Sequence, residues 1–383
     1  MTSIGVIAEY NPFHNGHLYH INKIKEMYPE SLIVLVMSSS FTERGIPSII
    51  NKWDKTRIAL NNKIDLVIEL PFMFSTQSAD IFASESIRIL KELKVEKLIF
   101  GSENNDIDKL INVANIQINN KEYDNLVKKY LDSGINYPTA MNKALTELGG
   151  YEINESNDLL GLSYIKEIIK QEASIEPISI KRTNDYLETN LTGNISSATA
   201  IRKAFIENNN ISNTVSKDVL DILNKEYFIM DDYFELLKYK IYSDNDLSKY
   251  LDVDEGIENR ILNVIDKVKN YDELVESVKT KRYTYNKINR MFCHILCGFT
   301  KELRDKYKNG NYIRVLGFNN NGKDYLNKIK KDTNVPIITK YIKDNEILDF
   351  EKKVTSIYVS KLNINRQKEL IEKEYKDSLI RID

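Results

Sequence analysis

Over its first two hundred residues the chain alternates short apolar runs with helical stretches, and that alternation restricts the fold more than any other feature. Ser3–Ala8, Leu32–Met37, Leu66–Leu70 and Leu98–Phe100 are near-continuous apolar runs of the kind that suits strands buried on both faces. Each is followed by a polar or glycine-containing turn and then a helical pattern, at Asn15–Met27, Lys52–Asn61, Ser75–Leu93 and Ile107–Asn115. A later strand is expected at Pro177–Lys181. Strands separated by helices pair in parallel, because each crossover returns the chain to the same end of the sheet. The pattern therefore predicts an α/β fold, a parallel sheet with helices on both faces. In such folds a ligand sits outside the C-terminal ends of the strands.

After Arg202 the character changes. Residues 207–214 are polar and read as a linker; Lys217–Lys240 and Gly256–Lys269 read as helices. A strand–turn–helix–strand pattern returns at Tyr312–Phe318, Asp324–Lys331 and Pro336–Lys340. The expected division is residues 1–205, and then 206–383 as a mostly helical region with a small α/β tail. The bulk numbers fit a soluble chain of ordinary composition, with 42% hydrophobic and 29% charged residues among 383. No apolar run is long enough to span a membrane, and Ile4–Ala8 is too short for a signal h-region. Cys293 and Cys297 build no disulfide framework, so a cytoplasmic location is expected. With 54 basic and 56 acidic residues the total does not advertise a nucleic-acid binder, though a local basic face can coexist with it.

Three of the four histidines fall in the run His14-Asn15-Gly16-His17-Leu18-Tyr19-His20, between the first strand and the first helix. A helix N-terminus there directs N–H groups and a positive dipole end at an anion, and two imidazoles can donate to phosphoryl oxygens. Gly16 would let a phosphate approach the backbone. Helix capping with core histidines, or a zinc site from the H-x2-H-x2-H spacing, are the competing readings; no acidic or cysteine ligand accompanies the spacing. A second phosphate cradle is written at Asn194-Ile195-Ser196-Ser197-Ala198-Thr199-Ala200-Ile201-Arg202, where serines precede a helical pattern and Arg202 lies further down it. Alone it is only a capped helix.

H-x-G-H with a distant I-S-S-x-x-x-x-R resembles the nucleotidyltransferase superfamily. Gly5 to His17, Arg44-Gly45-Ile46-Pro47, Lys52-Trp53, Asp65 to Pro71, Phe100 to Asn104, Asn157 to Gly161 and Ile180-Lys181-Arg182 are similar to the tRNA(Met) cytidine acetate ligase family. The match covers most of residues 1–205 and is looser beyond, best at Thr280 to Thr284. The resemblance implies a Rossmann-like nucleotidyltransferase domain. It implies a ligase that activates acetate with ATP to acetyl-adenylate, then acetylates N4 of the wobble cytidine of elongator tRNA(Met). Carried over residue by residue, the ATP segment is Ile7, Ala8, Glu9, Tyr10, Asn11, Pro12, Phe13, His14, Asn15, Gly16, His17 and His20, with Gly101, Asn157 and Arg182. Ser196, Ser197 and Arg202 form the second phosphate motif, and His14, His17 and Arg202 are the expected catalytic groups. Mg²⁺ would bridge the phosphates. One departure stands out: Ser38-Ser39-Ser40 precedes Phe41 where the family pattern has Gly-Asn or Gly-His.

The stretch Lys279 to Arg290 interleaves five cations with Tyr283 and Tyr285, and either contacts an RNA backbone and a stacked base or is a solvated helix face. With the resemblance, Lys281, Arg282, Lys287 and Arg290 become the expected RNA contacts; no DNA or membrane partner is expected. Cys293, His294 and Cys297 lie in an apolar helical stretch and read as core. Glu9, Glu69 and Glu103 near strand ends either help hold a magnesium ion, exclude larger acids or order loops. The rival function is an adenylyltransferase for a small phosphorylated metabolite, against which the long C-terminal half argues.

Overall fold

A computed structural model describes residues 1–135, 137–182, 191, 193–280, 282–376 and 379–383. Eight strands form one sheet: β1 Ser3–Ala8, β2 Leu32–Ser38, β3 Leu66–Leu70, β4 Lys97–Ser102, β5 Glu176–Lys181, β6 Ile313–Phe318, β7 Ile337–Ile338 and β8 Ile380–Arg381. The order is β5-β4-β1-β2-β3-β6-β7, with β8 also on β6. The first five strands pair in parallel, as the alternation predicts. The principal helices are α1 Asn15–Met27, α2 Lys52–Asn61, α3 Ala79–Glu92, α4 Ser156–Lys170, α5 Ala198–Ile206, α6 Tyr285–Cys297, α7 Asn320–Ile329 and α8 Glu346–Tyr358.

Both faces of the sheet are covered, and β2 shows it residue by residue. Leu32, Val34 and Val36 enter one apolar core with Phe82 and Ile87 of α3, while Ile33, Leu35 and Met37 enter the other with Ile21 and Ile24 of α1. The period of two in the strand delivers alternate residues to opposite layers.

The α/β tail does not make a sheet of its own. β6 lies antiparallel to β3, through Leu66↔Phe318, Val67↔Gly317 and Ile68↔Val315, and extends the first sheet. A buried charge cluster fastens this junction. Lys52 of α2 pairs with Glu69 of β3 at 2.5 Å and with Glu374 at 2.6 Å; Arg314 of β6 reaches Glu69 at 3.2 Å and also holds Glu374. The expected long helix at Lys217–Lys240 is two, Lys217–Lys225 and Phe234–Ser243, separated by an extended stretch and a short 3-10 turn. The expected linker at 207–214 is mostly exposed but anchored by Ile211 and Thr214, which are buried.

Candidate functional site

A cleft of about 400 Å³ opens at the C-terminal ends of β1, β4 and β5, where a parallel sheet presents its ligand site. Ile7, Ala8, Glu9, Tyr10 and Asn11 line it from the end of β1, Gly101 from β4, Asn157 from the first turn of α4, and Arg182 from just beyond β5. His14, Gly16, His17 and His20 come from the start of α1, and Ser196 and Arg202 from the start and second turn of α5. Pro12, Phe13, Asn15 and Ser197 are not among the lining residues.

The two lead histidines form a reciprocal cap. His14 is the N-cap of α1, and its Nδ1 accepts the Gly16 N–H at 3.0 Å. His17 Nδ1 in turn accepts the His14 N–H at 3.2 Å. The capping reading and the phosphate reading are thereby joined in the same rings. An Nδ1 that accepts carries no proton, so each neutral imidazole holds its hydrogen on Nε2. The rings lie 3.9 Å apart and are tilted by 32°. Burial, then the positive charges of Arg182 and Arg202, push the His14 imidazole down to about 3. Burial, with His14 beside it, holds His17 well below the usual imidazole range, and burial brings His20 to about 4. His20 Nε2 and Asn11 Nδ2 are buried polar atoms with no hydrogen-bond partner among the described residues.

Gly16 serves this cap in a way the sequence did not indicate. A Cβ there would stand 2.8 Å from His14 Cε1 and 3.0 Å from Nδ1, so only glycine lets the ring fold back onto its own helix. Asn15 is a strap: its amide donates to the carbonyls of Asn194 and Asn213, each at 2.8 Å, tying α1 to the second phosphate motif and to the anchored 207–214 segment. In that motif Ser197 caps α5, accepting the Ala200 N–H at 3.0 Å. Arg202 reaches the Asn11 carbonyl at 2.6 Å and Thr199 Oγ1 at 3.2 Å. Two helix N-termini and the guanidiniums of Arg44, Arg182 and Arg202 thus line one cavity, which makes it an anion site.

The wall opposite the histidines rests on α4, a helix the sequence reading did not single out. Glu103 accepts the N–H groups of Asn157 and Asp158 and the Asn157 amide, while Asp158 accepts the N–H groups of Glu103 and Asn104 and the Ser102 hydroxyl. This exchange locks the end of β4 to the start of α4 and sets Gly101 and Asn157 side by side. Arg182 reaches Asn157 Oδ1 at 3.5 Å. Of the readings the sequence left open for Glu103, ordering a loop is the one these bonds match; that its partner is Asn157-Asp158 is visible only in space.

The other candidates resolve differently. Among the described residues no three His, Cys, Asp or Glu side chains are placed to hold a metal ion. Glu69 is committed to Lys52 and Arg314, Glu103 to α4, and Glu9 Oε1 to the Glu43 N–H at 2.6 Å. Ser38 and Ser39 are buried and turn their carbonyls to Lys55 Nζ at 2.8 and 3.2 Å, so this departure from the family pattern is an anchored turn. Burial lowers the Lys55 ammonium to about 7. Cys293, His294 and Cys297 are buried core residues.

The basic stretch is only partly a solvated face. Arg282 is exposed and pairs with Glu255 at 3.1 Å; Lys287 lies 4.3 Å above the Tyr283 ring. Tyr283 itself is buried and bonded to Asp254, so it offers no open face for a base, whereas Tyr285 is exposed. Arg290, expected on the RNA, turns inward to Glu43 at 3.1 Å and Asp252 at 3.6 Å. Lys281 lies outside the described residues. Asn286 of α6 lines the cleft, which the sequence could not foretell.

The family model of the HIGH nucleotidyl transferases matches residues 1–374. A tRNA(Met) cytidine acetate ligase of Anoxybacillus flavithermus is 37% identical over 100% of both chains. One of Clostridium perfringens is 38% identical over 94% of this chain and 95% of its own. Among solved structures, apo Thermotoga maritima TmcAL superposes with a TM-score of 0.92 at 30% identity, and the same protein bound with alpha-thio ATP with 0.89 at 29%, each over 100% of both chains.

Proposed function

The chain belongs to the HIGH nucleotidyl transferases and, within them, to the tRNA(Met) cytidine acetate ligase family, and from that membership we propose that it is an ATP-dependent acetate ligase acting on tRNA(Met). It activates acetate to acetyl-adenylate, releasing pyrophosphate, and transfers the acetyl group to N4 of the wobble cytidine of the elongator tRNA, forming N4-acetylcytidine. One observation supports this reading most: two neutral imidazoles with Nε2–H donors border a cleft that the guanidiniums of Arg44, Arg182 and Arg202 also line.

Acetate is already ionised at pH 7, so activation needs no base. The barrier is the approach of two anions and the charge growing on the transferred phosphoryl group, which calls for positioning and preorganised donors. In the proposed arrangement His14 and His17 donate from Nε2 to α-phosphate oxygens. Gly101, Asn157 and Arg182 hold the nucleoside side. Ser196, the α5 N-terminus and Arg202 take the departing pyrophosphate. Because the imidazoles are neutral in the free protein, they bind as donors without spending a proton. Mg²⁺ finds no protein cage among the described residues, and no step depends on one.

Residues 206–383 are the proposed tRNA-binding region, with exposed Arg282 in the turn before α6 and half-buried Lys287 on α6 as contacts. No helix among the described residues is long and apolar enough to cross a membrane, and a cytoplasmic site of action suits the proposed substrates. The test of the first step is acetate-dependent exchange of labelled pyrophosphate into ATP. Exchange that requires acetate supports the reading. Exchange that ignores acetate and responds to a phosphorylated metabolite would replace it with the small-metabolite adenylyltransferase.

A further inference from the structure

The strand order divides the cleft into two sides. β4 and β5 lie on one side of β1 and lead to Gly101 and Arg182; β2 lies on the other and leads into the loop that carries Glu43 and Arg44. If the nucleotide occupies the first side, an acceptor must reach the phosphate centre from the second.

That second side is unusually well built. The loop is closed by the Phe41↔Pro47 bridge and by Thr42 N–H to the Ile46 carbonyl at 2.9 Å. Gly45 has φ +75°, and a Cβ there would stand 2.4 Å from the Arg290 nitrogen, so α6 is seated directly on the turn. The seating brings Asn286 into the wall of the cleft that Glu43 also lines. Glu43 is held at both ends: Glu9 accepts its N–H at 2.6 Å, and Arg290 donates to its Oε1 at 3.1 Å. The side chain is half-buried and lines the cleft.

We propose that Glu43 is the catalytic base of the transfer step, and that the corner it shares with Arg290 and Asn286 seats the acceptor cytosine. This rests on the acetate-ligase reading above. A carboxylate is the natural acceptor for a cytosine N4–H, and the Asn286 amide can donate to the ring O2 or N3. The N4 lone pair attacks the acetyl carbonyl carbon and a C–N bond forms. The acyl C–O bond to the adenylate breaks, its electron pair leaving on the AMP phosphate oxygen. The N4 proton passes to Glu43 Oε2 and then to solvent. The groups facing Glu43 are Glu9 from β1, Arg44 from its own loop, Arg290 from α6 with Asp252 behind it, and Tyr164 from α4. Burial raises the Glu43 carboxyl to about 7, with Arg290 and Arg44 opposing and Glu9 adding to the rise. A base with a pKa near the working pH is the efficient kind.

The experiment uses the full chain and measures two steps separately: acetate-dependent pyrophosphate exchange, and single-turnover transfer from acetyl-adenylate to unmodified tRNA(Met), each across pH 5.5–8.5 as roughly the range a base near neutrality spans. Glu43→Gln should lower transfer by at least about tenfold and flatten its rise with pH, since general bases contribute about 10²–10⁴. Exchange, which removes no proton from a cytosine and so needs no base at Glu43, should stay within about threefold. Glu43→Asp should recover the pH dependence with a reduced rate. Transfer by Glu43→Gln at the wild-type rate with the wild-type pH profile overturns the assignment, as does an equal loss in both steps. No acetylated cytidine from the wild-type protein would instead overturn the acetate-ligase reading beneath it.

Discussion

Gly16→Ala offers a one-methyl test of whether the histidine cap is also the catalytic device. The new Cβ would lie 2.8 Å from His14 Cε1, while carbon atoms in contact settle about 3.5–4.0 Å apart. The ring must retreat by most of an ångström, or the first turn of α1 must open. Either movement breaks the bond from Gly16 N–H to His14 Nδ1, and losing a cap costs about 1 kcal/mol. It also moves the Nε2–H donor from its aim, and a displacement near 1 Å in a catalytic group costs about 10²-fold. Gly16→Ala should therefore unfold at slightly lower denaturant and exchange pyrophosphate about 100-fold more slowly, with the KM for acetate little changed. His14→Ala removes the donor outright and should cost about 10²–10³. Because Gly16 acts through His14, the double variant should be no slower than His14→Ala within about threefold. Additive losses, or a Gly16→Ala protein at the wild-type rate, would refute the reasoning.

Three further outcomes follow from the buried groups. The imidazoles of His14 and His20 lie at about 3 and 4 in the folded protein, below an unfolded value of about 6.5, so the unfolded chain binds more protons in between. Stability from these groups is complete above about pH 6.5 and lost as pH falls toward 4; urea midpoints measured from pH 7.5 to 4.5 should decline, and less steeply in His20→Phe. A Cβ at Gly161 would stand 2.3 Å from Phe100 Cε2, so Gly161→Ala should push α4 from β4 and raise the KM for ATP at least about fivefold in the exchange assay. Lys52→Met leaves Glu69 and Glu374 sharing Arg314 in the core and should lower the free energy of unfolding by about 3–5 kcal/mol, read by denaturant titration.

The parts of the fold governed by short-range pattern were legible in the chain. Leu66–Leu70 has the predicted limits, because an apolar run interrupted only by Glu69 and bounded by Asp65 and Pro71 leaves few other outcomes. α1 begins at Asn15 as expected, since His14 is the residue that caps it. Long-range pairing was not legible. The apolar run Ile313–Phe318 says that the segment is buried, but which strand it joins depends on Lys52, Glu69, Arg314 and Glu374 meeting across as many as 322 positions between Lys52 and Glu374. Basic residues mislead for the same reason: Arg290 sits in a cation-rich run that suggests a solvated face, yet its carboxylate partners, Glu43 and Asp252, turn it inward. In the site, the phosphate motifs could be named from their spacing together with the family resemblance, and the loop-ordering reading of Glu103 matches its bonds to α4, whereas Asn286 enters only because α6 folds against the cleft.

The central claim is that the protein joins acetate to a cytidine of tRNA. The direct measurement is mass spectrometry of nucleosides from bulk tRNA incubated with the protein, ATP and isotopically labelled acetate. Labelled N4-acetylcytidine is expected, abolished in His17→Ala and confined to tRNA(Met) when the pool is fractionated. Folded protein that binds ATP and leaves every cytidine unlabelled would contradict it.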